Sequence, residues 1–248
     1  MSQLDSGPTN NILAALPEAE SESVGRHLTL FELPKELRLF GAGDPIRHLY
    51  FPRSGVISLV VPLESGDKIE VAMVGRDGVV GGSYLTGSAI WLNTATVQIP
   101  GSAWTLDVAA VRELDGGSAS LRSLATAYEQ TIVMQAQQSA ACNAVHEMEA
   151  RLCRWLLRCS DAACSQELAI TQDYMAQMLG VRRTTVTLVA GDLQAAGLIA
   201  QRRGHVRLLD TAGLKSRACE CYAAVNSRSE DLKHVALDRS RASLENLQ

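Results

Sequence analysis

One stretch constrains this chain more than any other, the run from Thr171 to Asp192 that reads TQDYMAQMLGVRRTTVTLVAGD. Met175, Met178 and Leu179 recur at helical spacing and give a short helix one apolar face. Thr171 stands where a hydroxyl can cap that helix, with Gln172 and Asp173 in its first turn. Gly180 can take a positive φ after the helix ends, so the chain can reverse, and Val181 pins the corner. The next helix would bury Val186, Val189, Ala190 and Leu193, leaving Arg183, Thr184 and Thr187 on another face. Two short helices joined at a glycine corner form a helix-turn-helix, whose second helix can lie in the major groove of DNA.

The outward residues suit that ligand. Arginine can donate two parallel bonds to guanine, and threonine can reach a phosphate oxygen or a thymine methyl. After the second helix, Gly197 ends the α pattern, and Leu198–Gln201 and Val206–Leu209 read as strands. Between them lies a basic turn, Arg202-Arg203-Gly204-His205. A two-stranded wing with a cationic tip can hold phosphates beside the groove. The expected DNA-contacting residues are therefore Thr171, Gln172, Arg182, Arg183, Thr184, Thr185, Thr187, Arg202 and Arg203.

Charge is divided to match. The net charge of −4 is unpromising for a DNA binder until it is split along the chain. Residues 1–144 carry 9 Lys and Arg against 15 Asp and Glu, whereas residues 145–222 carry 10 against 8. DNA affinity depends on where cations face, so a small local excess suffices. No run approaches the length of a membrane span, and the first residues lack the pattern of a secretory signal. A cytoplasmic protein with no membrane partner is expected, and its six cysteines should be reduced.

The fold class expected is α+β, in three parts. Helical patterns at Asn11–Leu16 and Ser21–His27 lead into short strand-like runs: Leu37–Phe40, His48–Phe51, Gly55–Val61, Lys68–Val74 and Thr94–Ile99. Their spacing, with glycine, proline and aspartate between, suggests an antiparallel β jelly roll over residues 12–117. Gly116-Gly117 closes it, and Ser118 can cap a helix running to residue 145, roughly 40 Å long at 1.5 Å per residue. Leu121, Leu124, Ala125, Tyr128 and Ile132 give this helix an apolar stripe with coiled-coil steps. It could lie on the roll or form the seam of a dimer, and its length favours the seam. A winged helix-turn-helix domain over 146–222 and a tail over 223–248 complete the chain.

This order of parts resembles the Crp/Fnr family of bacterial transcription regulators, over roughly residues 12–222. The resemblance rests on Thr171–Leu193 and on Tyr50-Phe-Pro-Arg-Ser-Gly-Val-Ile-Ser-Leu59. It implies a homodimer on a pseudo-palindromic operator, with a signal at the roll altering the pose of the DNA-binding domains. RNA polymerase enters as a partner by resemblance alone. Arg183 matches the family's guanine-reading arginine and Thr185 a phosphate-contacting threonine. Thr184 stands where many members have a base-reading glutamate, and Leu188 where the cyclic-AMP-responsive member has arginine.

The effector side departs from the family pattern. Val74–Gly81 resembles the turn that cups a cyclic nucleotide phosphate, with Asp77 in place of the sugar-binding glutamate, but Asn93 falls where the phosphate-pairing arginine should be. A buried phosphodiester anion needs a cation or equivalent donors. Cyclic AMP is therefore not the expected effector, and its identity is left open. The candidate pocket residues are Gly75, Asp77, Gly78, Gly81, Asn93, Thr94, Gln135 and Ser139. Cys153, Cys159 and Cys164 are widely spaced and Cys219-Glu-Cys221 stands apart, so neither a metal nor an iron–sulfur cluster is expected. No nucleophile–base pair is recognisable, which argues against an enzyme. The alternative is a small-molecule or redox sensor whose helix-turn-helix serves protein contacts.

Overall fold

The computed structural model of the protein describes residues 10–114 and 118–230. Residues 1–9, Gly116-Gly117 and the part of the tail after residue 230 lie outside the described residues. Two short helices, α1 (Asn11–Ala14) and α2 (Glu18–Gly25), precede seven strands. These are β1 (Thr29–Leu33), β2 (Arg38–Phe40), β3 (His48–Pro52), β4 (Val56–Pro62), β5 (Lys68–Val74), β6 (Thr94–Ile99) and β7 (Gly101–Asp107). They form two antiparallel sheets, ordered β2-β6-β4-β5 and β1-β7-β3. Leu49, Phe51, Ile57, Leu59, Val97 and Leu106 fill the space between. Strands β1 and β7 are absent from the sequence expectation because neither alternates cleanly, and β1 leaves Leu30 and Phe31 exposed.

Strand β4 is buried from Val56 to Val60 without alternation, because both its faces are covered. Ile57 and Leu59 point into the roll, whereas Val56 and Val60 belong to the core of the C-terminal part. That part packs on the outside of the four-stranded sheet.

After α3 (Val108–Glu113) comes the long helix α4 (Ala119–Val145), capped by Ser118, whose Oγ accepts from the Leu121 amide at 3.1 Å. Its apolar stripe corrects the dimer-seam expectation. Leu121, Leu124, Ala125 and Tyr128 are at most 5% exposed within a single chain, and Ile132 packs against the same core. Periodicity reveals an apolar face but not what covers it, and here the roll does. The outward stripe is instead Thr126, Gln130, Val133, Gln137, Ala140 and Ala144, again at steps of four and three.

The chain breaks at His146, whose ψ of 142° is not helical, and resumes as α5 (Met148–Ala163). Then follow β8 (Glu167–Leu168), α6 (Gln172–Leu179), α7 (Arg183–Ala195), β9 (Ile199–Arg202), β10 (His205–Leu208) and α8 (Thr211–Arg217). The last helix among the described residues, α9, covers 221–230. The division between domain and tail at residue 223 therefore falls inside a helix. Val225 is 2% exposed and Asn226 accepts from Arg158, so this stretch packs with the C-terminal part.

Candidate functional site

Local chemistry builds the helix corner. Thr171 Oγ1 accepts from the Tyr174 amide at 3.1 Å and starts α6. Gly180 ends it at φ 64°, in the left-handed region where glycine carries no Cβ penalty. Val186, Ala190 and Leu193 are fully buried under α7, and Val189 partly so. Arg182, Arg183, Thr184 and Thr187 are exposed and Thr185 half-buried. Leu188, 71% exposed, stands among them as a large apolar side chain open to solvent.

Strands β9 and β10 pair from Ile199↔Leu208 to Arg202↔His205, leaving Arg203-Gly204 as a two-residue turn with Gly204 at φ 76°. A groove of about 480 Å³ runs between this wing and the helix corner, and it gathers Thr171, Gln172, Arg183, Arg202 and Arg203. Thr184, Thr185, Thr187 and Arg182 are not part of its lining. Within it, Arg183 Nη1 lies 3.2 Å from Asp173 Oδ1, an exposed ion pair that contributes little stability. Thr187 Oγ1 donates to Gln172 Oε1 at 2.8 Å, and Gln172 Nε2 donates to Gln201 Oε1 at 2.7 Å. Gln201 is missing from the sequence expectation. It registers only as a strand residue, and the strand pairing brings it beside α6.

The glycine-rich turn of the roll lies elsewhere. Gly81 has φ 88° and starts a 3-10 turn, Gly82–Thr86. The Tyr128 ring lies directly over Gly78, where an added Cβ would come within 1.8 Å of the ring carbon Cζ. Asn10 Nδ2 donates to the Gly78 carbonyl at 2.8 Å, so the start of α1 closes the same turn.

These features coincide with known families. Residues 150–217 match the sequence model of the Crp-like helix-turn-helix domain, and residues 30–115 that of the cyclic nucleotide-binding domain. The chain belongs to the Crp/Fnr family. The Global nitrogen regulator of Synechococcus elongatus is 25% identical over 217 residues, covering 84% of this chain and 97% of that one. Among solved structures, a CRP-family transcriptional regulator of Thermus thermophilus matches with a TM-score of 0.61 at 24% identity, over 77% of this chain and 96% of that chain. The c-di-GMP responsive global regulator CLP of Xanthomonas campestris matches at 0.63 and 19% identity, over 79% and 100% of the two chains. The protein is thus a Crp-family transcriptional regulator with a helix-turn-helix. No described helix is long and apolar enough to cross a membrane.

Family membership implies a cyclic nucleotide, and the residues present do not fit one. Three amides of the turn are directed at protein acceptors: Gly75 at Asp77 Oδ1, Gly78 at the Gly75 carbonyl and Val80 at the Tyr50 carbonyl. Gly75 faces α5, where a Cβ would come within 2.4 Å of the Ala162 carbonyl oxygen. The candidate pocket does not assemble. Asp77 lines a cleft of about 300 Å³ against α5 and α9. Gln135 and Ser139 line a separate cavity of about 20 Å³, room for about one water. Asn93 and Thr94 line neither. Gln135 Oε1 instead accepts from the Met73 amide at 3.1 Å, tying α4 to β5.

A polar network joins the roll to the Crp-like domain, and sequence reasoning misses it. Strand β4 pairs Leu59 with Ala72 and Val60 with Glu70, so Val71 is an extra residue in β5. Such a bulge reverses which side chains face each way. Glu70 thereby leaves the roll interior for the outer face, where Trp155 Nε1 donates to its Oε1 at 2.7 Å. A second shift leaves Gln98 between Ile57↔Val97 and Val56↔Ile99, and Gln98 Nε2 donates to Cys159 Sγ at 3.4 Å. Ser58 Oγ lies 2.5 Å from Glu70 Oε2 and 2.6 Å from Gln98 Oε1, and Tyr174 OH approaches it at 3.5 Å. One hydroxyl proton cannot serve both acceptors, so a protonated Glu70 completes the network. Burial pushes the Glu70 carboxyl up to about 7, against the opposing pull of Ser58, Trp155, Arg154 and Arg158.

Proposed function

We propose that the protein acts as a homodimer on a pseudo-palindromic DNA operator, one α7 entering the major groove of each half-site. The observation that carries this reading is the groove that gathers Thr171, Gln172, Arg183 and the wing arginines Arg202 and Arg203 on one open face. The Arg183 side chain is 64% exposed and pairs with Asp173, a partner it can exchange for guanine. Arg182 caps α7 without a side-chain acceptor, so the first amides of a helix end are available to phosphate. Leu188 and the threonine methyls offer apolar contact to thymine.

The outward stripe of α4, centred on Val133, is the surface assigned to the twofold seam. Signal modulation acts through the joint beneath the helix corner, because Tyr174 of α6 and Trp155 of α5 both reach the Ser58–Glu70 network of the roll. The effector is not assigned, since the turn residues do not form a cyclic nucleotide site.

Selection of duplexes from a random pool, followed by fluorescence anisotropy with wild-type protein and Arg183→Ala, tests the reading. A loss of about 5- to 150-fold, confined to one base pair of each half-site, is expected for a lost guanine contact of about 1–3 kcal/mol. Enrichment of no sequence, or equal affinity of the two proteins, would contradict it.

A further inference from the structure

Two pairs of groups far apart in sequence meet at the break between α4 and α5. Cys142 lies in the last turn of α4 and His146 is its C-terminal cap, four residues on, so both project from the same side. Cys219 comes from the turn between α8 and α9, and Cys221 is the first residue of α9. Cys142 Sγ is 3.6 Å from Cys219 Sγ, and Cys221 Sγ is 3.5 Å from His146 Nδ1. All four ligand atoms lie within 4.8 Å of one another, and the three cysteines are buried.

We propose that Cys142, His146, Cys219 and Cys221 form a tetrahedral zinc site. Zinc–sulfur bonds of about 2.3 Å and zinc–nitrogen bonds of about 2.0–2.1 Å put tetrahedral ligand atoms about 3.8 Å apart for two sulfurs and about 3.5 Å for sulfur and nitrogen. The Cys142–Cys219 and Cys221–His146 pairs already stand near those separations. A cluster of several irons would spread its ligands wider, so a single ion is favoured.

The surroundings match a metal rather than a packed group of thiols. His146 Nε2 lies 3.1 Å from Glu220 Oε1, which holds the ring proton there and leaves Nδ1 as the ligand. Gln138 Nε2 donates to Cys221 Sγ at 3.0 Å. The positive charges of Arg154 and Arg151 act on Cys142, offsetting the surplus negative charge of three thiolates on a divalent ion. The expectation of no metal rested on the lack of a short C-x₂₋₄-C pair. Here the fold supplies the proximity that spacing does not announce. One ligand precedes the break, His146 stands at it and two follow the wing, so the ion would clamp the helix-turn-helix domain to the end of α4.

The test uses the full chain without a polyhistidine tag, purified under reducing conditions. Elemental analysis should find about one zinc per chain. Cobalt(II) added in place of zinc should give the sulfur charge-transfer and visible bands of a tetrahedral thiolate site. Cys219→Ser with Cys221→Ser should lower bound metal at least about tenfold, whereas Cys164→Ser, at an exposed cysteine outside the cluster, should leave it unchanged. If the double variant does not fold, the wild-type cobalt spectrum still decides. A folded chain that takes up neither metal overturns the proposal. So does a Cys142–Cys219 disulfide in the reduced preparation, or an iron–sulfur chromophore.

Discussion

Trp155 on α5 donates its indole N–H to the buried carboxyl of Glu70 on β5 at 2.7 Å, across the boundary between the roll and the helix-turn-helix domain. The pair makes the joint sensitive to a proton, because Glu70 has no ion-pair partner within bonding distance among the described residues.

Stability should therefore depend on pH in a defined direction. The folded carboxyl ionises near 7 against an ordinary value of 4.5, so between those values the unfolded chain has released a proton that the folded chain keeps. Its contribution is complete below about 4.5 and is lost as pH rises to about 7, by on the order of 3 kcal/mol. Glu129, also raised to about 7 by burial, adds a loss of the same sign. Denaturant titrations from pH 4.5 to 8 should show this fall, and Glu70→Gln should flatten part of it. An unchanged slope in the variant would place the titration elsewhere.

Gly78 should tolerate no side chain. Gly78→Ala drives a methyl into the buried Tyr128 ring, an overpacking that costs about 1–3 kcal/mol. Gly25→Ala, with nothing near the added carbon, should be neutral or stabilising by up to about 1 kcal/mol. Thermal melts of the two variants should move in different directions or by clearly different amounts. Equal shifts would mean that Tyr128 leaves the turn freely.

Helix α4 separates two kinds of substitution. Val133→Glu, at a residue 55% exposed in the single chain, should weaken self-association at least about tenfold (1.4 kcal/mol) while leaving helicity and melting of the monomer intact. Leu121→Glu, buried in the roll, should instead destabilise the fold by several kcal/mol. Sedimentation velocity distinguishes these outcomes, and an undisturbed dimer in Val133→Glu would move the seam to another face.

The helix corner is legible in sequence because its signals are local: a threonine cap, a glycine at positive φ, and apolar residues three and four apart. The roll is legible in part, since β3 to β6 lie between clear turn residues, whereas β1 has four exposed residues in five. Tertiary partners account for what is not legible. The stripe at Leu121 and Tyr128 is apolar in either setting, and only the fold decides that the roll covers it. Strand alternation puts Glu70 in phase with the roll-facing Ala72 and Val74, until a bulge at Val71 turns it to the outer face. Cys142 and Cys219 are 77 residues apart, and nothing in their spacing brings them together.

The wing should act without regard to sequence. Arg203→Ala should weaken binding to all duplexes alike and lower the slope of log affinity against log salt by about 1, the signature of one lost phosphate contact. Unequal losses across duplexes would mean that the wing reads bases.

Hydroxyl-radical footprinting on a selected duplex, with the number of bound chains counted by native mass spectrometry, tests the central claim most directly. The account predicts two chains on one duplex, with two protected segments whose centres lie about 34 Å apart along one side of the helix. One chain per duplex, or protection without that spacing, would contradict it.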